Sequence, residues 1–130
     1  AVSAAKQLEH PEVVVRDAAV EALARVLGQG DPTAIEEAVK RLRHANRSTR
    51  EAAVLALAHV AHRGDETALG AVRPLLHDDI WYVRQAALQV LVHIAPLGDE
   101  GALALLNRLL HDVHEGVRRT AVEALGSLAE

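Results

Sequence analysis

The strongest constraint on the fold of this chain is a sequence repeat with a period of 34 residues. Several columns of identical residues share this period, and no insertion interrupts any of them. A period between about 20 and 50 residues is the signature of stacked copies of one supersecondary unit. The columns include Arg16, Arg50, Arg84 and Arg118; Ala19, Ala53, Ala87 and Ala121; Leu23, Leu57, Leu91 and Leu125; and Leu8, Leu42, Leu76 and Leu110.

Each repeat carries the signals of two helices. A Gly-Asp pair precedes the first helix, because Asp is a good N-cap and Gly suits the left-handed conformation that ends the preceding helix. The pairs are Gly30-Asp31, Gly64-Asp65 and Gly98-Asp99. The apolar pattern predicts that the second helices begin near Val15, Thr49, Val83 and Val117. Pro74 lies inside a first helix and is predicted to bend it without ending it, since Leu75 and Leu76 continue the pattern.

The apolar faces of these helices determine the predicted fold class. Neither helix can bury its face alone, so neighbouring repeats must stack. We predict an all-α fold, an alpha-alpha superhelix or solenoid of about four two-helix repeats. Residues 1–130 form one domain in this interpretation, with repeats at 1–30 (partial), 31–64, 65–98 and 99–130. No apolar run approaches the length of about 20 residues that a membrane span needs, so we expect a soluble protein.

The motif shared by the second helices carries a family resemblance. It reads VRDAAVEAL at 15–23, TREAAVLAL at 49–57, VRQAALQVL at 83–91 and VRRTAVEAL at 117–125. This motif resembles the short HEAT-like repeat of phycobilin lyase subunits and of designed alpha-helical repeat proteins. The tetratricopeptide and ankyrin signatures are missing. The resemblance implies a ladder between the repeated Arg and acidic residues near the inter-helix turn, where Asp78 and Asp112 stand; His10 and His44 occupy this position in the first two repeats.

The ligand residues of HEAT-like enzymes do not match this sequence. Deoxyhypusine hydroxylase binds a di-iron centre through His-Glu pairs on its second helices. The matching positions here are Asp17-Ala18, Glu51-Ala52, Gln85-Ala86 and Arg119-Thr120, and the single His-Glu pair, His114-Glu115, falls in a predicted turn. The chain also has no Gly-rich phosphate loop, nucleophile elbow or paired catalytic carboxylates. The sequence therefore predicts no enzymatic activity and no cofactor.

Charge and histidine spacing argue against nucleic acid and metal ligands. The net charge is −4, from 18 acidic and 14 basic residues, whereas a HEAT-like DNA glycosylase uses a basic concave face. A basic run at Lys40, Arg41, Arg43, Arg47 and Arg50 is typical of a solvated helix face; an anionic partner patch is the alternative. His59 and His62 lie three residues apart on one predicted helix, and His93 is the equivalent of His59 in the next repeat. A zinc site needs three or four converging ligands, however, and no carboxylate completes the set. We expect no metal site.

The columns that differ between repeats indicate where a partner binds, because the scaffold does not dictate them. On the second helices these columns are spaced by four residues and share one face. Leu55 stands where other repeats have Glu or Gln. Trp81 and Tyr82 are large anchors of the kind that interface hot spots favour. The candidate partner-binding residues are Arg47, Glu51, Leu55, His59, Trp81, Tyr82, Gln85, Gln89 and His93.

These observations predict a non-enzymatic protein-protein interaction scaffold, or a small peripheral subunit of a larger assembly. It would bind protein partners through the face lined by the second helices and through the ends of the array. Residue 1 aligns with the interior of a first helix, so we expect a piece of a longer array, a processed protein, or a subunit whose ends neighbours cover. Two alternatives stay open: a chromophore lyase-type or chaperone subunit of a photosynthetic complex, and a designed repeat protein. Localisation also stays open, since no targeting segment is visible.

Overall fold

A computed structural model describes residues 6–12, 15, 18, 19, 22 and 31–128, with only the backbone of Leu8. Within these residues the chain is helical. The α-helices are α1 (Pro32–Arg41), α2 (Arg47–Val60), α3 (Glu66–Val72), α4 (Trp81–Ile94), α5 (Glu100–Leu109) and α6 (Glu115–Leu128), and short 3-10 helices lie at Gln7–Glu9 and Arg73–His77. The chain divides into two compact bodies, Ala1–His62 and Arg63–Glu130. The predicted repeat boundaries stay a prediction.

Several features of the first repeat lie outside the described residues. They are Val13, Val14, Arg16, Asp17, Glu21, Leu23, Arg25 and the Gly30 turn.

The predicted N-caps of the first helices are confirmed. The Asp31 carboxylate accepts hydrogen bonds from the backbone N–H groups of Thr33 and Ala34, at 2.8 and 3.2 Å. Asp65 accepts from the N–H of Ala68, and Asp99 from that of Ala102, both at 2.9 Å. These bonds satisfy N–H groups that have no partner within the helix, so the Asp column fixes where each first helix begins.

The second helices begin two residues earlier than predicted, at Arg47, Trp81 and Glu115. In α2 the reason is the Asn46 side chain, which accepts from the N–H groups of Ser48 and Thr49 at 2.8 and 3.1 Å. The apolar pattern begins only at the first buried position, one half-turn inside the helix. The exposed residue at the start of each second helix, which the apolar pattern does not reveal, is therefore already helical.

The repeated glycines have positive φ, but they do not end the helices. Gly64 and Gly98 have φ values of 88° and 74°. The second helices end at Val60 and Ile94, several residues earlier, so the prediction that these glycines terminate a helix was wrong in position. The glycines instead shape the loop before the Asp caps. There the Gly98 N–H donates to the Leu128 carbonyl at 2.8 Å, and the Gly64 N–H donates to the Ile94 carbonyl.

Pro74 has a larger effect than the predicted bend. The α-helix α3 ends at Val72, and the path continues to His77 as a 3-10 helix. Pro74 has no N–H to donate to the carbonyl one turn earlier, so the α-helical ladder cannot continue through it. Leu75 and Leu76 are still buried, which explains why the chain keeps a helical path at this point.

Apolar side chains from the repeated columns form the core of each body. In the first body α1 packs against α2, and in the second body α4 packs against α6 and α5 against α6. The predicted Leu column is buried at Leu57 and Leu91, which have no solvent exposure. Other fully buried large side chains include Val54, Val60, Val72, Leu76, Leu88, Ile94, Leu106 and Leu128. No helix in the described ranges combines the length and the apolar character that a bilayer span requires.

Each turn between the two helices is closed by the residue at the predicted acidic position. Asp78 and Asp112 accept from the N–H two residues later, at 3.0 and 2.9 Å. His10 and His44 make the same bond through Nδ1, at 3.1 and 3.0 Å. A neutral imidazole can therefore replace a carboxylate in closing the turn.

The repeated Arg binds this turn from the second helix. Nη1 of Arg50, Arg84 and Arg118 donates to the carbonyl of the turn residue six positions earlier, at 2.9, 2.8 and 2.7 Å. Arg84 also reaches the next repeat, because its Nε and Nη2 donate to the two carboxylate oxygens of Asp112 at 2.8 and 3.0 Å. The ladder that the resemblance implied is thus formed by Arg84 and Asp112.

Replacing a core leucine should lower the free energy of unfolding more in the middle of the second body than at the corresponding position of the last repeat. Leu91→Ala should lower the free energy of unfolding by about 2 to 5 kcal/mol, because Leu91 has no exposure and its removal leaves a cavity. Leu125→Ala, in the same column but only half-buried, should cost about 1 to 2 kcal/mol. Urea denaturation followed by circular dichroism measures both. Equal losses would show that the two positions are equally enclosed.

The Arg84–Asp112 pair should make stability depend on pH. Burial raises the pKa of Asp112, but hydrogen bonds from Arg84 and from the His114 N–H, with the Arg84 charge, outweigh burial and hold the pKa below its usual range. A lowered folded-state pKa gives stability that is present above the unfolded-state pKa and is lost as the pH falls through the folded value. Asp112→Asn should therefore cost about 3 kcal/mol near neutral pH.

The difference between Asp112→Asn and the wild type should shrink as the pH falls from about 7 to about 2, because Asp112 itself is then protonated. Urea denaturation of both proteins across this range measures the difference. Asp79→Asn is the control, since Asp79 is exposed in the preceding turn. A difference that stays constant with pH would contradict the role of the carboxylate charge.

Candidate protein-interaction surface

In the first body, four of the predicted partner-binding residues lie on α2. Arg47, Glu51, Leu55 and His59 follow one another at intervals of four residues, so they share one face of the helix. Arg47 and His59 are exposed, while Glu51 and Leu55 are half-buried. The structure thus places the four side chains on one face of α2, as the spacing predicted.

In the second body, the remaining candidates lie on α4. Trp81, Gln85, Gln89 and His93 share one face at the same spacing. Gln89 and His93 are exposed and Gln85 is half-buried. Tyr82 is also half-buried, and its ring meets that of Trp81 edge-on with centroids 5.6 Å apart. Tyr82 therefore supports Trp81 from the neighbouring position.

Trp81 stacks on His114, which the sequence did not reveal as its partner. The two ring centroids lie 4.0 Å apart and the ring planes differ by 4°. His114 is held in place because its Nδ1 accepts a hydrogen bond from the Gly116 N–H at 3.0 Å. A Cβ at position 116 would lie 3.0 Å from the His114 ring, so glycine leaves room for this orientation. The stack joins the first turn of α4 to the residue that precedes α6.

A groove runs between α4 and α6, and we call it the second-helix groove. Toward the N-terminal ends of the two helices the groove is closed by a hydrogen bond from Gln85 Nε2 to Thr120 Oγ1 at 2.9 Å. Thr120 Oγ1 in turn donates to the Gly116 carbonyl at 2.9 Å. Toward the C-terminal ends of α4 and α6 from this bond, the groove holds an open cavity of about 170 Å³. Its lining side chains are Gln89, Val92, His93, Thr120, Glu123, Ala124 and Ser127.

The polar groups of the cavity are suited to binding. The side chains of Gln89, His93, Glu123 and Ser127 make no hydrogen bond to any residue that the structure describes, so each can offer its donors or acceptors to a ligand. His93, Glu123 and Ser127 are residue types of a nucleophilic triad. Within residues 31–128, neither a Ser127–His93 nor a His93–Glu123 hydrogen bond is formed. The same part of the chain holds no group of three or more His, Asp or Glu side chains placed to bind a metal ion.

The basic run is only partly a solvated helix face. Arg41 has a side chain that is 10% exposed, and it pairs with Glu9 at 2.9 Å and with Glu37 at 3.0 Å. Lys40 also contacts Glu37, at 3.1 Å. Hydrogen bonds from Lys40 and then Arg41 lower the pKa of Glu37. Arg41 is thus a structural residue, whereas Arg43 and Arg47 are exposed.

Comparisons with known proteins give one consistent family and fold. A family model described as HEAT repeats matches residues 3–92 and again residues 81–130. No curated protein matches the chain. A designed armadillo repeat protein, solved in complex with the peptide (KR)4, is 26% identical with a TM-score of 0.68; the match covers 96% of this chain and 62% of that chain.

Two other solved structures are similar. An engineered protein from the Northeast Structural Genomics Consortium is 28% identical with a TM-score of 0.65, and the match covers 96% of this chain and 62% of that chain. A computationally designed armadillo repeat protein for modular peptide recognition is 24% identical with a TM-score of 0.64, over 96% of this chain and 63% of that one, and it shares the fold. The chain spans less than two thirds of the length of each of these proteins.

The stack of Trp81 on His114 can be tested because the chain has one Trp. His114→Asn removes the ring but keeps a side chain that can accept from the Gly116 N–H, as Asn is a favoured cap. We expect the Trp81 emission to shift to the red and its quenching by acrylamide to increase. Stability should fall by about 1 kcal/mol, the typical contribution of an aromatic pair.

His111→Asn is the control for this substitution, since His111 is exposed and forms no ring contact with Trp81. It should leave the emission unchanged. Identical spectra for the wild type and His114→Asn would show that the stack is not formed in solution.

Proposed function

We propose that this chain, which belongs to the HEAT-repeat family, is a non-enzymatic scaffold that binds extended segments of protein partners in the second-helix groove. The family resemblance and the all-α solenoid class predicted from the sequence are confirmed by the family model and the structural matches. Proteins of this fold serve mainly through the surfaces that their stacked repeats display.

The exposure of Trp81 is the observation that carries the proposal. The indole is 42% exposed at the first position of α4, although Trp is the largest apolar side chain in the chain. The equivalent residues, Arg47 and Glu115, are charged and exposed, so the fold does not need an aromatic residue at this position. A partner that covers the indole would gain the free energy of removing this apolar surface from water, because folding alone does not bury it.

The groove beside Trp81 supports a peptide-like ligand. An extended peptide presents alternating N–H and C=O groups, and the Gln89 amide can both donate to and accept from them. His93, Glu123 and Ser127 offer further polar contacts along the same line of the groove. The similar designed armadillo protein is in complex with a peptide, and another was made for peptide recognition. By analogy, we extend peptide recognition to this chain.

Two further features agree with a binding role. The second body carries all of the net charge, with ten acidic and six basic residues between Arg63 and Glu130, which favours basic partner segments. On α2, Arg47, Glu51, Leu55 and His59 are proposed as the corresponding contact surface of the first body. The lyase-type and designed-protein alternatives rest on the repeat resemblance alone, and no feature of the groove favours either.

Trp81→Ala should weaken peptide binding by at least about tenfold, as expected for an aromatic hot spot. The probes are peptides of about 12 residues selected from a random library against the wild-type chain. Their affinities for the wild type and for Trp81→Ala are measured by fluorescence polarisation, together with those for Gln89→Ala. We expect the Gln89→Ala loss to be smaller, about three- to tenfold, because it removes hydrogen bonds without apolar burial.

Val113→Ala is the matched control, since Val113 is 91% exposed and does not line the second-helix groove. It should leave the affinities unchanged. Selected peptides that bind Trp81→Ala as tightly as the wild type would place the binding site elsewhere.

A further inference from the structure

The cavity of the second-helix groove has the size of a site for one side chain. Its volume of about 170 Å³ is well below the roughly 300 to 1,000 Å³ of pockets that enclose a whole small molecule. At about 30 Å³ for each water molecule, it corresponds to about six waters, or to one long side chain. A partner segment that lies in the groove, as proposed above, therefore places a single side chain in the cavity.

The cavity contains one carboxylate, that of Glu123. Glu115 and Glu123 are the acidic residues of α6, and α4 has none. Glu115 contacts Arg119 at 3.5 Å, whereas the side chain of Glu123 makes no hydrogen bond or ion pair to any residue that the structure describes. No Lys or Arg is among the lining residues. The charge of Glu123 thus favours a cationic side chain in the cavity.

The other lining residues suit a guanidinium group better than an ammonium group. A guanidinium has five N–H donors in a rigid plane and can bind a carboxylate through two parallel hydrogen bonds. Besides the Glu123 carboxylate, the Gln89 amide oxygen and the Ser127 hydroxyl are acceptors in the same cavity. Val92 and Ala124 add apolar surface, against which the methylene groups of an arginine can pack. The cavity therefore matches the side chain of arginine.

The position of the cavity on α4 sets its distance from Trp81. Gln89 and His93 follow Trp81 by eight and twelve positions, which is about 12 to 18 Å at the helical rise of about 1.5 Å per residue. An extended segment covers this distance in about four to six residues, at about 3.3 Å each. Between the two points, the hydrogen bond from Gln85 to Thr120 joins the helices and closes the groove.

We propose that the cavity is an arginine pocket, which binds the guanidinium of an arginine about four to six residues from the residue that covers Trp81. Glu123 pairs with the guanidinium, and Gln89 and Ser127 accept hydrogen bonds from its remaining N–H groups. This inference rests on the proposed function, because Trp81 and the pocket contact two points of one bound segment. It adds a requirement on the sequence of that segment which the exposure of Trp81 alone does not supply.

The first experiment is a parallel selection near neutral pH. One random library of peptides of about 12 residues is selected against the wild-type chain and against Glu123→Gln, which keeps the size of the side chain and removes its charge. We expect the wild type to select peptides with an arginine about four to six residues from an aromatic or large apolar residue. Peptides selected by Glu123→Gln should lack the preference for arginine.

Fluorescence polarisation then measures the coupling between Glu123 and the arginine of a selected peptide. Replacing this arginine by citrulline keeps its shape and removes its charge. The replacement should weaken binding to the wild type by at least about tenfold, but binding to Glu123→Gln by no more than about twofold, because the charged pair is already lost there. Replacement by lysine should weaken binding to the wild type by about threefold or more, since an ammonium cannot bind the carboxylate through two parallel hydrogen bonds.

Glu100→Gln is the matched control. Glu100 is exposed at the start of α5 and does not line the cavity, so its substitution removes the same charge from the second body at another place. It should leave both the selected sequences and the citrulline effect unchanged. Equal losses of affinity in Glu100→Gln and Glu123→Gln would mean that the overall charge attracts the peptide, and they would overturn the arginine pocket.

The remaining outcomes separate this inference from the proposed function. Peptides that need Trp81 but show no preference for arginine, or that lose as much affinity with citrulline in Glu123→Gln as in the wild type, would overturn the pocket and leave the proposed function standing. Peptides that need both Glu123 and their arginine but bind Trp81→Ala as tightly as the wild type would support the pocket and contradict the role of Trp81. A selection that yields no binding peptide would overturn both.

Discussion

The interaction on which the rest of this structure depends is the contact of one arginine with two turns. Arg84 donates to the carbonyl of Asp78 in its own repeat and to both carboxylate oxygens of Asp112 in the next one. Because the guanidinium is rigid and planar, these bonds fix the distance and the direction between successive turns together. Together with the apolar packing between α4 and α6, this contact sets the spacing of the two helices, on which the width of the second-helix groove depends.

The same contact explains why the residues that face the groove can differ between repeats. Packing and the ladder use the buried side of each second helix, where small and branched apolar residues recur, so core packing does not dictate the residues at Trp81, Gln89 and His93. The Trp81–His114 stack occupies this unconstrained face and joins two helices that the ladder already holds together. Its removal is therefore expected to change the surface more than the fold.

The sequence was informative where the cause of a feature is local, and less so where it lies in another repeat. The Asp31, Asp65 and Asp99 caps could be predicted because each needs only the next three residues. The stacking partner of Trp81 could not, since His114 comes from the next repeat and its ring orientation depends on Gly116. The burial of Arg41 was missed because a run of basic residues does not show which face they occupy, and because its second partner, Glu9, lies in the preceding repeat.

The exposed apolar side chain of Trp81 stands at a position where the fold does not require one. Trp81 is exposed at a position that the fold leaves open in every described repeat, so its partner can have any backbone that fits a groove. Under the proposed function, such a surface selects a partner segment by its side chains, because packing against the neighbouring repeat does not fix the residue at this position.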